Sequence, residues 1–340
     1  MKVAITDRRF SDREPYAHPV EAAGGELVVA NCRTETDVRE ACRDATVAVT
    51  FKAPITREVI EAMTEARLIL RNGTGYDNVD VTAATEHGIP VSNVPDYCTE
   101  EVATHAFALM LSAAHEVVQR DGELREAEGW GERSPNRPLY DGMFGVVGLG
   151  RIGRSAARKA AGFGMDVVAF DPYQHADIFE EVGVERVSFD EVLARADCVS
   201  LHAPLTGETY HLLGTEEFAA MKNDAIVVNT ARGPIVDEMA LLEAVEGGEL
   251  WGAGLDVFEV EPPAESPAFD SERITASPHH AGLSERAEQR CIDIGVEKIT
   301  AALRDDHPGE IVNPEAYGNA DELSPERGYW SSGDETDFST

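Results

Sequence analysis

Lysine is scarce in this sequence, and basic side chains as a whole are outnumbered by acidic ones. There are 29 Lys and Arg residues against 63 Asp and Glu residues, which gives a formal net charge of −34. This charge argues against nucleic acid or an anionic membrane surface as a partner, because both are polyanions. Self-repulsion of this size destabilises a fold in dilute buffer, but at roughly 1 M salt the Debye length is only about 3 Å. The composition therefore predicts a halophilic protein, adapted to a high-salt cytoplasm.

Clustered cysteines and long apolar runs are also missing. The cysteines show neither a C-x-x-C pair nor the spacing of zinc ligands, and they stand at Cys32, Cys42, Cys98, Cys198 and Cys291. Such scattered cysteines are typical of reduced thiols inside an intracellular protein, so we predict no metal site. Apolar runs fall short of the about 18 residues needed to cross a bilayer, and the segment Met1–Asp7 reads as a strand, not as a signal peptide. We therefore expect a cytoplasmic protein.

Short apolar runs alternate with helical patterns along most of the 340 residues. Since this alternation is typical of βαβ units, we predict an α/β fold with two Rossmann-like or flavodoxin-like parallel-sheet domains and an active-site cleft between them. A longer apolar helix is predicted at Glu101–Val118, and another helix at Ser284–Leu303. The predicted strands are Val3–Ile5, Leu27–Ala30, Thr46–Phe51, Leu68–Leu70, Pro90–Ser92, Gly145–Gly148, Asp166–Phe170, Cys198–His202, Ala225–Asn229, Gly252–Asp256 and Ile274–Ala276.

A G-x-G-x-x-G pattern, Gly148, Gly150 and Gly153, stands between a predicted strand and a predicted helix. The first glycine permits a tight turn, the second lets the backbone approach a pyrophosphate, and the third lets the helix pack close to the strand. Backbone N–H groups of the first helical turn, at Arg151 and Ile152, would face the phosphates. The pattern predicts a dinucleotide-binding unit.

Asp171 closes the next apolar run after this pattern. An acidic side chain at that place can bind both hydroxyls of an adenosine ribose, and it repels a 2′-phosphate. We therefore predict NAD (NADH) as the cofactor, with NADP disfavoured by Asp171.

The dinucleotide motif lies midway along the chain and divides it. We predict a substrate (catalytic) domain from residues 1–97 and 283–312, and an NAD-binding Rossmann domain from residues 98–282. Residues 98–120 would link the two and could form part of a homodimer, because Val102–Leu111 is apolar enough to pack against a partner; an internal helix face is the alternative. Gly, Ser, Asp and Glu dominate from residue 313 to 340, which predicts an acidic, disordered tail.

Three side chains suited to hydride chemistry follow successive predicted strands: Arg232, Glu261 and His279. A guanidinium can bind a substrate carboxylate and polarise the adjacent carbonyl, while an imidazole oriented by a carboxylate can exchange the hydroxyl proton. Taken singly, they could equally be a surface ion-pair residue, a solvated loop acid and a packing histidine. Together, at the sheet edge where ligands bind, they predict hydride transfer on a small 2-oxo or 2-hydroxy acid.

Several ordered motifs carry a resemblance to a known family. Over residues 1–312 the chain resembles the D-isomer-specific 2-hydroxyacid dehydrogenases. The matching segments are Asn72–Asp80, Val91–Pro95, Gly148–Gly153, Leu201–Thr206, Asn229–Gly233, Val236–Glu238, Asp256–Pro262 and Pro278–His279. The resemblance implies an NAD-dependent enzyme of two α/β domains, commonly dimeric.

The resemblance also implies roles for individual residues. Arg232 would hold the substrate, His279 would be the acid/base, and Glu261 would pair with that histidine. Backbone N–H groups around Thr74 and Gly75 would receive the substrate carboxylate.

On the cofactor side, the resemblance implies that Asp256 contacts the nicotinamide carboxamide and that His279 lies beside the ring. Asp171 would bind the adenosine ribose. The implied lining of the rest of the cofactor is His202, Ala203, Pro204, Thr230 and Ala231.

Some positions bear on the subfamily. His280 replaces the small or aliphatic residue often found after the catalytic histidine, and we interpret it as supporting that histidine. Glu261 is acidic where formate dehydrogenases of this superfamily carry glutamine, which argues against formate oxidation. The segments Asp171–Tyr173 and Asn93–Pro95 are similar to the C-terminal-binding-protein branch, but Gly282 stands where that branch carries a substrate-side tryptophan. Phosphoglycerate and glyoxylate/hydroxypyruvate reductases remain open.

The prediction is therefore an NAD-dependent D-2-hydroxyacid dehydrogenase whose substrate side chain the sequence leaves open. The alternative is an NAD(H)-sensing, corepressor-like interaction protein with vestigial activity. The retained set Arg232, Glu261 and His279 favours the enzyme.

Overall fold

The β-branched runs form short strands that are buried on both faces, as parallel strands covered by helices must be. The computed structural model describes residues 1–7, 14–126 and 135–317. In these ranges the strands are β1 (Lys2–Ile5), β2 (Glu26–Val29), β3 (Val47–Thr50), β4 (Leu68–Arg71), β5 (Val91–Asn93), β6 (Met143–Val147), β7 (Asp166–Phe170), β8 (Glu185–Arg186), β9 (Cys198–Leu201), β10 (Ile226–Asn229), β11 (Gly252–Leu255) and β12 (Ile274–Ala276). The α-helices are α1 (Glu14–Ala22), α2 (Glu35–Cys42), α3 (Arg57–Glu61), α4 (Val81–Glu86), α5 (Thr99–Ala114), α6 (Val117–Glu126), α7 (Arg151–Phe163), α8 (Ala176–Val182), α9 (Phe189–Arg195), α10 (Thr215–Ala220), α11 (Glu238–Glu246) and α12 (Glu285–Leu303).

The strands build two parallel sheets in two compact units. One unit holds Met1–Cys98 and the segment that begins at Leu283, and the other holds Thr99–Gly282. The first sheet has the order β2-β1-β3-β4-β5 and the second the order β12-β11-β10-β9-β6-β7-β8. The predicted α/β fold with two parallel sheets is confirmed. In the second sheet the strand order reverses between β6 and β9, and such a reversal is where open α/β sheets bind ligands.

Helix α12 follows the second unit in sequence but packs in the first. Its N-terminus is capped by Ser284, whose hydroxyl accepts the Ala287 N–H at 3.0 Å. Further along, Lys298 is buried and donates to Ser92 Oγ at 2.9 Å and to the Glu310 carbonyl at 3.0 Å. These bonds tie α12 to β5, and burial lowers the pKa of Lys298.

Two sequence predictions need correction. The helix predicted at Glu101–Val118 is two helices, because the chain leaves the helical conformation at Glu116, where φ is +51°, and α6 starts at Val117. The predicted tail begins too early, since Asn313 is buried, bonds to Val91 N–H and is followed by a 3-10 helix at Pro314–Tyr317. The remainder of that predicted tail, 318–340, lies outside the described residues.

The apolar face of α5 is buried inside the second unit. Among its buried residues are Val102, Ala106, Leu109 and Met110, and a Cβ at Gly254 of β11 would lie 2.7 Å from Leu109 Cβ. This is the internal helix face that the sequence offered as the alternative to a partner contact. In the described part of the chain, no helix combines the length and apolarity needed to span a membrane.

Candidate active site

The glycine turn lies at the reversal point of the second sheet. Gly148 follows β6 with φ at +93°, a conformation that favours glycine. A Cβ there would lie 2.7 Å from Ala203 N and 2.8 Å from the carbonyl carbon of His202. The turn after β6 and the turn after β9 therefore touch backbone to backbone, and only glycine fits between them.

The other two glycines of the motif shape the start of α7. A Cβ at Gly153 would lie 2.1 Å from Gly148 O, so the helix can approach the turn only because that atom is missing. Gly150 is the N-cap residue and provides no side-chain cap, and a Cβ added there would have no atom within 4 Å. The first N–H groups of a helix have no intrahelical acceptor and attract anions. This open cradle fits the pyrophosphate of a dinucleotide, with Arg151 and Ile152 in the first helical turn.

Asp171 fastens the glycine turn to the end of β7. Its carboxylate accepts N–H bonds from Leu149 at 2.8 Å, Tyr173 at 3.0 Å and Gln174 at 3.2 Å. The residue is 2% exposed, and burial raises the pKa of its carboxyl group. A carboxylate offers about four lone-pair sites, so these bonds leave room for a ribose hydroxyl, and the ribose contact stays a prediction.

The segment after β9 supplies the other wall of this region. His202 Nε2 lies 3.0 Å from Ser200 Oγ, and burial lowers the pKa of His202 to about 4, so the ring is neutral near pH 7. Thr209 Oγ1 donates to the Pro204 carbonyl at 2.7 Å and holds this loop in shape. Beyond β10, Thr230 Oγ1 is buried and has no hydrogen-bond partner among the described residues. Thr230 follows a strand of the same sheet as the glycine turn. A buried hydroxyl without a hydrogen-bond partner at this place fits a cofactor that would complete its hydrogen bonding.

The turn that carries Arg232 is braced from the end of β10. Asn229 Oδ1 accepts the Ala231 N–H at 3.0 Å, and its Nδ2 donates to the Arg232 carbonyl at 2.8 Å. A Cβ at Gly233 would lie 1.8 Å from the carbonyl carbon of Phe258, so this turn is pressed against the segment that follows β11. The Arg-Gly turn thus lies next to the loop that leads to Glu261, and the Arg232 guanidinium donates to the Ala231 carbonyl at 2.7 Å.

Glu261 and His279 form a direct pair. His279 Nδ1 lies 2.7 Å from Glu261 Oε2 and 2.9 Å from Oε1. The His279 side chain is 40% exposed, and its backbone has φ at +49°. With Nδ1 engaged by the carboxylate, Nε2 is the ring nitrogen left for proton transfer.

Glu259, the nearby acid that could compete for the histidine, has a different partner. Its Oε1 accepts the Glu238 N–H at 2.9 Å at the start of α11, and Glu238 in turn accepts the Glu259 N–H. This reciprocal pair anchors the loop after β11 and leaves Glu261 to bond His279.

Asp256 builds the turn on which His279 stands. Its carboxylate accepts bonds from Ser277 Oγ at 2.6 Å, His280 N at 3.0 Å and Ala281 N at 2.9 Å, and its carbonyl accepts the His279 N–H at 2.8 Å. The residue is 1% exposed. Asp256 is therefore a positioning residue for His279, and its contact with a nicotinamide stays a prediction.

In the first unit, Thr74 and Gly75 lie in the turn after β4. Asn93 Nδ2 donates to the Thr74 carbonyl at 2.6 Å, and Thr74 Oγ1 donates to the Val94 carbonyl at 3.3 Å. The turn is thus held by the end of the neighbouring strand β5.

Sequence reasoning missed several of these bracing residues. Asn229, Gly233 and Ser277 stand one or a few positions from a predicted site residue, and only their contacts show their role. Asp7 was also missed, although it stands two positions after Ile5, the last residue of β1. Its carboxylate accepts N–H bonds from Phe51 at 2.9 Å, Lys52 at 2.6 Å and Ala53 at 3.1 Å. The sequence feature that could have identified Asp7 is an acidic residue just past the end of a predicted strand.

The chain is similar to known proteins in sequence and in fold. Residues 107–281 match the family model of the D-isomer specific 2-hydroxyacid dehydrogenase, NAD binding domain. A D-3-phosphoglycerate dehydrogenase of Methanocaldococcus jannaschii is 39% identical over 315 residues, which cover 92% of this chain but only 59% of that protein. A glyoxylate reductase of Korarchaeum cryptofilum is 42% identical over 267 residues, 77% of this chain and 80% of that protein.

Among solved structures, a D-lactate dehydrogenase from Aquifex aeolicus complexed with NAD and lactic acid is similar with a TM-score of 0.82. It is 27% identical, and the match covers 92% of this chain and 99% of that one. The family resemblance predicted from the ordered motifs is confirmed. The chain belongs to the D-isomer specific 2-hydroxyacid dehydrogenase family.

Proposed function

We propose that this protein is an NAD-dependent oxidoreductase that interconverts a 2-oxo acid and a D-2-hydroxy acid. The observation that carries the proposal is the bond of 2.7 Å between His279 Nδ1 and Glu261 Oε2. An exposed imidazole oriented by a carboxylate is suited to give a proton to a developing alkoxide, or to take one from a hydroxyl group. Family membership and the dinucleotide cradle at Gly148–Gly153 support the same reaction.

In the proposed mechanism the turn Gly148–Gly153 and Asp171 would hold the dinucleotide, whose nicotinamide would supply the hydride chemistry. His279 protonates the oxygen at C2 during reduction and deprotonates it during oxidation, through Nε2. Glu261 keeps the ring in the orientation in which Nε2 faces the reacting oxygen and stabilises the imidazolium form. Preorganised charge of this kind lowers the barrier without reorganisation at the moment of reaction.

Arg232 and the turn at Thr74–Gly75 bind the substrate in this proposal. The guanidinium donates paired N–H bonds to the carboxylate and to the adjacent carbonyl oxygen, and it stabilises negative charge as it grows there. Backbone N–H groups of the turn receive the carboxylate. The unit around the first sheet is accordingly the substrate domain, and the unit around the second sheet binds NAD.

The cofactor proposal is NAD in preference to NADP. A buried carboxylate at Asp171 repels a 2′-phosphate, because both groups are negatively charged. We also propose that the enzyme works in a salt-rich cytoplasm, which its formal net charge of −34 favours, and that it is a homodimer, which only the family resemblance supports because the apolar face of α5 is buried within its own unit.

The test is a substrate panel in molar KCl. NADH oxidation is followed with glyoxylate, pyruvate and 3-phosphohydroxypyruvate, and NAD reduction with glycolate and with the D- and L-forms of lactate and 3-phosphoglycerate. We expect turnover on a small acid of one configuration, and its loss in His279→Ala but not in a control variant, His175→Ala. Tight NADH binding without turnover on any acid would instead favour the sensing protein, since that function needs no acid/base pair.

A further inference from the structure

A cluster of three potential metal ligands lies beside the proposed active site. His105 on α5, Asp256 after β11 and His280 after β12 each offer one ligand atom, and these atoms lie within 4.8 Å of one another. His105 Nε2 is 3.6 Å and His280 Nδ1 is 3.7 Å from Asp256 Oδ1. The two imidazole rings meet edge to face, with their centroids 4.7 Å apart.

These distances are close to those of a tetrahedral metal site. Zn–N and Zn–O bonds of about 2.0–2.2 Å place neighbouring ligands about 3.3–3.5 Å apart. The two distances to Asp256 Oδ1 exceed this by a few tenths of an ångström, and the two histidine nitrogens lie within 4.8 Å of each other, so side-chain rotations would have to bring the ligands together. Two imidazoles and one carboxylate are a typical three-ligand set for zinc, with water in the fourth position.

The hydrogen bonding of the cluster is incomplete without a further partner. His280 Nδ1 is buried and has no hydrogen-bond partner among the described residues. Asp256 is 1% exposed, and its carboxylate accepts hydrogen bonds from the neutral donors Ser277 Oγ, His280 N and Ala281 N. A buried carboxylate is costly without a compensating positive charge, and a net charge of −34 raises the local concentration of cations around the whole molecule.

We propose that His105, Asp256 and His280 bind one divalent transition-metal ion of the zinc class. Binding replaces the hydrogen bonds that Ser277 Oγ makes to Asp256 (2.6 Å) and to His105 (2.8 Å) by metal–ligand bonds. The ion would hold α5 to the turn that carries His279. This metal site goes beyond the proposed dehydrogenase function, which requires no metal. The site was invisible in the sequence because its ligands are separated by 151 and 24 positions (105 to 256, 256 to 280).

The test uses Co²⁺ as a spectroscopic probe on the full chain in KCl, after chelator treatment and dialysis. Tetrahedral Co²⁺ absorbs visible light far more strongly than octahedral Co²⁺ on surface carboxylates. We expect one strongly absorbing Co²⁺ per chain that Zn²⁺ displaces, and a rise in the melting temperature with Zn²⁺. His280→Leu should raise the Kd for Zn²⁺ by about 100-fold or more, since outer-shell partners alone are worth about 10- to 100-fold.

Two further variants separate metal binding from folding. Ser277→Ala removes the competing hydroxyl and should bind Co²⁺ at least as tightly as the parent. His115 is exposed, so the control variant His115→Gln should leave Co²⁺ binding unchanged. Circular dichroism of His280→Leu checks that it folds. The proposal is overturned by weak octahedral Co²⁺ absorption alone, or by equal Zn²⁺ affinity in folded His280→Leu and the parent. Neither result bears on the dehydrogenase proposal, which is tested separately by the turnover of the parent protein on the acid panel.

Discussion

At the residue scale, the proposed chemistry depends on one short contact. His279 and Glu261 come from segments 18 positions apart and meet at 2.7 Å. Glu259 does not take the place of Glu261 beside His279, because its carboxylate accepts an N–H at the start of α11. The sequence identified both members of the pair through the family resemblance, but the choice between two glutamates could be checked only by seeing their partners.

Removing the imidazole should affect turnover much more than cofactor binding. We expect His279→Ala to lower kcat by about 10²- to 10⁴-fold, the usual contribution of a general acid or base, while the Kd for NADH changes little. Glu261→Gln keeps the ring in place through a hydrogen bond but removes the charge, so its loss should be smaller. Steady-state kinetics and NADH fluorescence titration give the two quantities, and near-normal kcat in His279→Ala would contradict the proposed role.

Replacing Asp171 should relax cofactor discrimination. Asp171→Asn removes the negative charge but keeps an acceptor for part of its backbone bonds, so the glycine turn should survive. A hydrogen bond to a charged group is worth about 1.5–3 kcal/mol, so KM for NADH should rise about tenfold or more and the NADH/NADPH preference should fall. Asp166→Asn, an exposed carboxylate at the start of β7, is the matched control. An unchanged NADH/NADPH preference in Asp171→Asn would contradict the proposed role of Asp171 in cofactor discrimination.

His202 should make the fold sensitive to mild acid. Its pKa is about 4 in the folded protein, against about 6.5 in an unfolded chain. Between these values the unfolded chain binds more protons, so the free energy of unfolding falls as pH drops from about 6.5 toward about 4. Urea unfolding across this range should show a smaller decrease for His202→Gln than for the parent. Parallel curves for the two proteins would show that His202 contributes nothing.

At the element scale, close backbone approaches decide where the functional loops lie. Gly148 and Gly153 let the turn after β6, the turn after β9 and helix α7 pack together, and Gly233 lets the Arg232 turn press against the segment after β11. The pattern of short apolar runs between helical segments predicted most of the strands, because it is a local signal. It missed β8, whose two residues are exposed, and it joined α5 and α6, because a break at one residue of positive φ leaves the apolar pattern intact.

A methyl group at Gly233 should disturb the Arg232 turn. The added Cβ would lie 1.8 Å from a backbone carbon that cannot move aside alone. We expect Gly233→Ala to lower kcat/KM for the acid substrate and to destabilise the fold by more than 1 kcal/mol, roughly the cost of overpacking. Gly162→Ala, at an open position of α7, should instead stabilise by about 0.5–1 kcal/mol. Thermal unfolding and kinetics of both variants check this, and a neutral Gly233→Ala would refute the packing argument.

At the scale of the whole molecule, the charge is the dominant property. A formal net charge of −34 on 340 residues produces repulsion that acts over a Debye length. The effect of this charge on stability belongs to the whole molecule, since a single ion pair on the surface contributes little to the free energy of unfolding.

Stability should therefore rise with salt. We expect the free energy of unfolding to increase between dilute buffer and roughly 1 M KCl, where the Debye length falls from about 30 Å at 0.01 M to about 3 Å. A variant with Glu40, Glu65 and Glu216 changed to Gln, all exposed, should show a weaker dependence. Chemical denaturation at several KCl concentrations measures it, and equal stability in low and molar KCl would contradict salt adaptation.

The sequence by itself determined the fold class, the dinucleotide turn and the family, because strand alternation, glycine spacing and ordered motifs are local patterns that can be read along the chain. Tertiary structure alone decided which groups meet across the chain: Glu261 with His279, Asp256 with the turn that carries His279, and His105 with His280. Those contacts depend on strand order and on approaches of a few ångström between backbone segments. One-dimensional spacing contains neither, so residues 151 positions apart in the sequence could be joined only in the folded unit.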